Sequence, residues 1–392
     1  MRIGIEAQRI FRRKKYGIDR VTIELIRNLQ KIDTKNKYFI FAKPGMNEGV
    51  ISETANFKIV LLKGSNYFLW EQFYLPKAIK KYKCDLIHCT SSTAPLFSKT
   101  LTLLTLHDII FLEKSVLTMM SENATYYNKF GNFYRRIIAP FIIKRSTKII
   151  TVSYFERNQI INYFKKINPD KITTVYNGVN DFFSLKEDTI LRNKIKSKYK
   201  LPDTFLFFIG NKDQRKNTKN VVKAFSLFIE STKSDITLVI LHHTRKNLQK
   251  ILKEIGKPAL IEKIVLIGYV SDTDMRALYA LSTIFLYPSK REGFGIPIIE
   301  AMASGTPVIT SCTSSMPEIA GNSAHIVNPE SPEEIARGIY KLFYDHTYRK
   351  ILIKKGIERS KKFSWALMSE KVLAIYTSLN LRYKIIKKVT TQ

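Results

Sequence analysis

Two glutamates eight positions apart, Glu292 and Glu300, flank a loop rich in glycine in the stretch REGFGIPIIEAMASGTPVI, residues 291–309. Carboxylates accept hydrogen bonds from hydroxyls, whereas exposed backbone amides donate to anions. Pro297 suits the first helical position, where a missing N–H costs nothing. The pattern predicts a helix through IIEAMASG that stops at Gly305, before a strand TPVIT. The amides of Gly293, Phe294, Gly295 and Ile296 would then converge at the positive end of a helix, an anion site. Glu300 falls in the first turn, leaning back towards that end, and Glu292 reaches over the loop from before the helix. A ligand anionic in its middle and rich in hydroxyls on both sides fits this set. That ligand is a nucleotide sugar. A lone Gly-Phe-Gly before a helix would carry no such message; two acids and a proline at this spacing do.

The elements that must position these residues are legible as a rhythm. RIGIEA, KYFIFA, FKIVLL, CDLIHCT, TLLTLHD and TKIITVS are short, apolar and spaced for intervening helices, and the rhythm restarts with FLFFIGN, ITLVILH, KIVLIGYV, TIFLYPS and TPVITSC. Runs apolar on both faces suit parallel strands covered by helices on each side. Two such series predict two doubly wound α/β domains. The junction is expected near TVYNGVNDFFSLKED, where Asn-Gly marks a turn and charged residues follow. The tail from Phe363 reads as a helix ending in the basic stretch RYKIIKK. At 392 residues, 45% hydrophobic and 25% charged, the chain has the balance of a globular protein with two cores. Its three cysteines, Cys84, Cys89 and Cys312, form no CxxC pair or zinc-ligand spacing, which fits free thiols in a reducing compartment. The N-terminal MRIGIEAQRIF is interrupted by charge and does not read as a signal peptide.

The residues resemble those of the retaining glycosyltransferases of family 4, in particular bacterial mannosyltransferases of polysaccharide assembly. EGFGIPIIEAMASGTPVI, continuing into SMPEIAG, looks like that family's signature with its paired glutamates. The resemblance implies the GT-B fold: two facing Rossmann-like doubly wound parallel-sheet domains, with a C-terminal helix crossing back to the first. The expected domains are 1–180 on the acceptor side, 181–365 for the nucleotide sugar, and 366–392 as the returning helix and basic tail. It also implies that Glu300 binds the ribose, that Glu292 binds donor-sugar hydroxyls, and that the Phe294 and Gly295 amides face sugar or diphosphate. FIGNKDQRKNTKNVVKAF, residues 208–225, is similar to the family's strand and Arg-Lys-Asn element, so Arg215 and Lys216 would neutralise the departing diphosphate. TLLTLHDIIF places His107 at a strand end, where the family carries a histidine close to the donor sugar. IGIEAQRIFRRKKYGIDR keeps Gly17 of the family's loop after the first strand, but has Asp19 where similar members have a second glycine. Asp19 is therefore a candidate to meet the acceptor instead. A second departure is Asn322 in AGNSAHIVNP, where the pattern usually has Asp. WEQFYLP and KFSWALMSEKVLAIY also look familial. No cofactor and no metal are expected, and no residue stands out as a covalent nucleophile.

Other signals have plainer readings. Asp272 and Asp274 mimic a metal-binding DxD, but they directly precede MRALYALS and read as helix-capping acids. His242 and His243 have no nearby carboxylate or cysteine partner. YYNKFGNFYRRIIAPFIIKR, residues 126–145, interleaves aromatics with bases; it suits a basic helix packed on a sheet or an amphipathic helix on an anionic leaflet, and less a nucleic-acid surface. The net charge is +32 and it is clustered: residues 1–180 hold 30 Lys and Arg against 13 Asp and Glu, residues 351–392 hold 10 against 2, and residues 251–350 hold 10 against 11. Clustering favours an anionic partner over uniform composition bias. The expected function is metal-independent, retaining transfer of a hexosyl group, with mannose suggested by the resemblance, from a nucleoside diphosphate sugar to a saccharide or polyprenyl-diphosphate-linked acceptor. The expected location is cytoplasmic, peripheral on the inner face of the membrane. A GT-B-like epimerase or phosphorylase is an alternative. A basic nucleic-acid-binding protein would explain the charge but leave Glu292 and Glu300 unused.

Overall fold

The structure is a computed structural model that describes the chain apart from residues 65, 114–125, 184–188 and 390–392, and apart from the side chains of 126–130, 132 and 382–389. The chain forms two compact units, Met1–Asn177 together with Trp365–Gln392, and Gly178–Ser364. The division falls at 177/178 and 364/365 rather than at 180/181 and 365/366, and the C-terminal helix is part of the first unit. The SLKED end of the expected junction lies outside the described residues.

The first unit is built on a parallel sheet of seven strands in the order β3-β2-β1-β4-β5-β6-β7. These are β1 (Arg2–Glu6), β2 (Lys37–Ala42), β3 (Phe57–Leu61), β4 (Leu86–Cys89), β5 (Leu101–Leu106), β6 (Lys148–Thr151) and β7 (Ile172–Thr174). Ile3, Ile5, Leu86, Ile87, Leu103 and Leu104 are fully buried, because helices cover both faces of the sheet. Helix α1 (Gly17–Ile32) follows β1. The C-terminal helix Trp365–Val389 packs against α1. Tyr376 ties it into the core: its hydroxyl meets His88 Nδ1 at 2.6 Å, while His88 Nε2 meets Thr105 Oγ1 at 2.7 Å. Burial, reinforced by His107, pushes His88 down to about 3, so the ring in this contact is neutral.

The second unit has six parallel strands in the order β10-β9-β8-β11-β12-β13. They are β8 (Phe205–Ile209), β9 (Thr237–Leu241), β10 (Ile264–Ile267), β11 (Ile284–Tyr287), β12 (Val308–Ser311) and β13 (His325–Val327). Phe205, Phe207 and Phe208 of β8 are all buried, each contributing roughly 1.5–3 kcal/mol of transfer free energy. Both sheets reverse direction beside their first strand, between β1 and β4 and between β8 and β11. In open α/β sheets the carboxyl ends of the strands at such a reversal leave a crevice where ligands bind. The three-residue edge strands β7 and β13 carry too little pattern to be read from sequence.

Candidate functional site

At the reversal of the second unit, two loops leave adjacent strands and are laced together. After β8, Asp213 caps a 3₁₀ turn, Gln214–Lys216: its carboxylate accepts from the Arg215 amide at 3.0 Å and pairs with the Arg215 guanidinium at 2.5 Å. Asn217 ends the turn in the left-handed region, φ 64 and ψ 27, which asparagine tolerates better than most residues. Its buried amide donates to Pro288 O at 3.0 Å and Pro329 O at 2.6 Å. The Lys290 amide donates to Arg215 O at 2.7 Å, joining this loop to the one after β11. These contacts deliver Lys216, whose Nζ donates to Glu292 Oε1 at 2.7 Å and to the Tyr287 hydroxyl at 2.9 Å. Burial is the largest influence on Lys216 and works against its charge. Glu292 and Tyr287 together outweigh it and raise the lysine above its ordinary range. Tyr287 is raised as well, by burial first and then by the Glu292 charge.

The loop after β11 is held open by serines. Ser314 Oγ donates to Glu292 O at 2.6 Å and accepts from the Glu292 amide at 3.0 Å; Ser315 Oγ donates to Phe294 O at 2.8 Å. Gly295 sits at φ 108 and ψ 48, a conformation that side chains rarely adopt. It starts helix α2 (Ile296–Ala303), and Gly305, at φ 72, follows its end. The helix therefore begins one residue earlier than the sequence implies, with Pro297 in second place. Glu300 is its fifth residue, in the second turn rather than the first. It is only 4% exposed, and its Oε2 accepts from the Tyr279 hydroxyl at 3.1 Å. The structure thus brings Arg215, Lys216, Glu292, Gly293, Phe294, Gly295, Ile296 and Glu300 into one region of the second unit.

His107 and Gly17 belong to the first unit. His107 follows β5, is buried, and lies with Nε2 3.0 Å from Thr90 O. A carbonyl can only accept, so Nε2 carries the proton and Nδ1 is the acceptor. Burial is the chief cause that lowers His107 to about 4, against smaller opposing effects from Thr90 and Asp108, so the ring is neutral at pH 7. Gly17 is the first residue of α1, and an added Cβ there would meet nothing within 4 Å. Asp19 does not fit the role of meeting the acceptor. It is buried, accepts from the Tyr16 amide at 3.1 Å and pairs with Arg9 at 3.1 Å, which caps the helix and neutralises the acid.

Asp272 and Asp274 open a helix capped by Ser271, and Asp274 pairs with Lys198 at 2.5 Å. His243 is buried with neither ring nitrogen hydrogen-bonded. Among the described residues no group of three or more His, Cys, Asp and Glu side chains could hold a metal ion. Sequence reasoning missed two features. One is Asn217, whose signal was its place directly after Arg215 and Lys216. The other is Glu71 of WEQFYLP, buried in the first unit. Glu71 accepts from Tyr67 at 3.0 Å, Thr93 at 2.6 Å, Gln72 at 3.0 Å and Tyr134. Burial, with the Glu6 charge assisting, pushes it up to about 7 against the pull of these bonds.

Two parallel sheets that reverse beside their first strands, each covered by helices, define a doubly wound α/β protein. Residues 191–359 match the family described as Glycosyl transferases group 1, and residues 16–181 that described as Glycosyltransferase Family 4. The chain belongs to these glycosyltransferases. Among its relatives is the serotype-specific mannosyltransferase WbdA of Escherichia coli, 28% identical over 64% of this chain and 31% of the relative. Another is the O-antigen chain mannosyltransferase B of Escherichia coli, 29% identical over 59% of this chain and 60% of the relative. The chain thus matches between 31 and 60% of these relatives' lengths. Similar solved structures include a glycosyltransferase from Rickettsia africae, TM-score 0.71 and 21% identity, covering 96% of this chain and 98% of that one. The Anabaena protein HepE in complex with UDP and glucose gives TM-score 0.73 and 14% identity, covering 96% and 100%. The fold is GT-B.

Proposed function

We propose that this chain is a retaining, metal-independent hexosyltransferase that moves a sugar, mannosyl by analogy with the O-antigen relatives, from a nucleoside diphosphate to an acceptor hydroxyl. The acceptor is a lipid-linked saccharide in surface polysaccharide assembly. The observation that carries the reading is the Lys216–Glu292 pair beside the glycine-bent loop that opens α2, at the sheet's reversal. Lys216, Arg215 and the loop amides meet the charge of the departing diphosphate, the work a divalent cation does in other enzymes. The Glu292 carboxylate accepts from donor-sugar hydroxyls, and Glu300 from the ribose. The sugar C1–O bond breaks with its electron pair going to the diphosphate. The acceptor oxygen bonds to C1 on the same face and gives its proton to the leaving phosphate oxygen. His107 of the first unit, neutral at pH 7, can accept a hydrogen bond from a sugar hydroxyl through Nδ1.

Attachment to an anionic membrane surface belongs to the same proposal. Helix Tyr126–Arg145 buries Tyr134, Ile138, Ala139, Ile142 and Ile143 in the first unit's core. Phe133, Ile137 and Phe141, spaced by four, are 51, 46 and 61% exposed, and Lys144 and Arg145 beside them are exposed as well. An apolar ridge flanked by bases suits an anionic leaflet. Among the described residues no helix is long and apolar enough to cross a membrane.

A thermal-shift panel of UDP, GDP and ADP sugars, with and without EDTA, tests the donor reading on the native protein and Glu300→Ala. One nucleotide is expected to raise the melting temperature in EDTA, and the substitution is expected to remove that rise. A shift for none of them, or only with a divalent cation, overturns it.

A further inference from the structure

The first unit has its own polar pocket, about 170 Å³, lined by Gln8, Arg12, Lys43, Pro44 and Tyr67. It lies where the segments leaving the adjacent parallel strands β1 and β2 run together. Lys43 N donates to Gln8 O at 3.2 Å, and Asn47 N to Phe11 O at 3.2 Å. A Cβ on Gly45 would sit 2.3 Å from Phe11 O, so the two segments are in backbone contact. Tyr67 contributes its ring, because its hydroxyl is engaged by Glu71 at 3.0 Å and Thr93 at 2.7 Å.

Three of the five lining residues, Gln8, Arg12 and Lys43, carry side-chain N–H donors. Gln8 is only 5% exposed; its backbone amide is satisfied by Glu6, but its side-chain amide has no hydrogen-bond partner among the described residues. Arg12 supplies a planar fork of N–H groups and Lys43 a point charge. Arg13, Lys14 and Lys15 continue the positive field. Guanidinium, ammonium and amide together offer more donors than the two oxygens of a carboxylate can use, and suit the terminal oxygens of a phosphate. The volume is several times the roughly 30 Å³ of a liquid water, yet below the roughly 300 Å³ at which pockets for drug-sized ligands begin. It takes a phosphate group, not a nucleotide sugar.

We propose that this pocket holds a phosphate or diphosphate group of the acceptor. The inference rests on the glycosyl-transfer reading but concerns a different unit and different residues from the donor site. The test is calorimetric titration of pyrophosphate into the native protein, Gln8→Glu, the pair Arg12→Gln with Lys43→Gln, the control pair Arg13→Gln with Lys14→Gln, and Lys216→Gln. Gln8→Glu, matched in shape but repelling an anion, is expected to weaken binding at least tenfold, as is the Arg12 and Lys43 pair. The control pair, which removes equal charge outside the pocket, and Lys216→Gln, which disables the donor site, are expected to retain it. Equal weakening by both paired variants, or binding lost only in Lys216→Gln, overturns the proposal. If Gln8→Glu does not fold, the comparison between the two pairs decides it. Flotation with vesicles carrying an isoprenyl diphosphate, against phosphatidylglycerol vesicles of matched charge, separates the sources. A preference that Arg12→Gln with Lys43→Gln abolishes upholds a lipid-linked group, and pyrophosphate binding without that preference upholds a water-soluble one. Failure here leaves the Glu300-dependent nucleotide shift untouched, so the two readings fail separately.

Discussion

Glu71→Gln offers a test of the first unit's polar core that can be worked to a magnitude. The Glu71 carboxyl is 1% exposed and raised from 4.5 to about 7. Its neighbours are Tyr67, Thr93, Gln72 and Tyr134, with the Glu6 charge further off. An acid with a raised folded pKa binds its proton more tightly folded than unfolded. Its stabilising contribution is therefore complete below about pH 4.5 and lost as pH rises through 7. At about 1.4 kcal/mol per pH unit, the interval amounts to about 3 kcal/mol. Glutamine copies the protonated form in shape and does not titrate. Variant and native protein should differ little in stability at pH 5, and the variant should gain about 3 kcal/mol on the native protein by pH 8. His88 and His107, lowered to about 3 and about 4, act in the opposite sense: they destabilise as pH falls below about 6.5. Both proteins share them, so the difference cancels them. Urea unfolding followed by tryptophan fluorescence isolates the unit, because the chain's two tryptophans, Trp70 and Trp365, both lie in it. A stability difference that changes by less than about 1 kcal/mol between pH 5 and 8 would refute the reasoning, since Glu71 would then titrate like an exposed acid.

Lys216→Met should lower kcat by about 10²–10³, the usual loss on removing one group that meets developing negative charge, while nucleotide binding weakens less; steady-state kinetics against nucleotide titration separates the two. Asn217→Ala removes two buried hydrogen bonds and places alanine at φ 64. About 3 kcal/mol of local stability should go, seen as faster hydrogen exchange in peptides covering residues 205–217 and 284–296. Gly295→Ala should cost about 1–2 kcal/mol from its φ of 108, read as a lower melting temperature of the second unit by calorimetry. Phe141→Asp should abolish sedimentation with anionic vesicles at low salt and leave the nucleotide-dependent thermal shift intact; unchanged sedimentation would remove that helix from the membrane reading.

Much of the fold was legible because most of the parallel strands are buried on both faces and therefore read as apolar runs. Among the described residues, eleven of the thirteen strands announce themselves by such runs, while β7 and β13, three residues each at the sheet edges, do not. The bent loop entering α2 was legible too, because glycine, proline and acids at close spacing reflect a local constraint. Partnership was not legible. Nothing in the spacing of Lys216 and Glu292, 76 positions apart, shows that they share a 2.7 Å bond, since that depends on β8 and β11 being neighbours in a reversed strand order. Glu71 was legible only as part of WEQFYLP; packing removes its water and moves its proton affinity towards neutrality. Asp19 shows the converse, an acid whose type suggested a ligand and whose burial against Arg9 made it a cap. The chain's local chemistry determined which elements form and which residues can do chemistry. The tertiary structure decided which of them meet and how much water each keeps, because both depend on contacts between segments far apart in sequence.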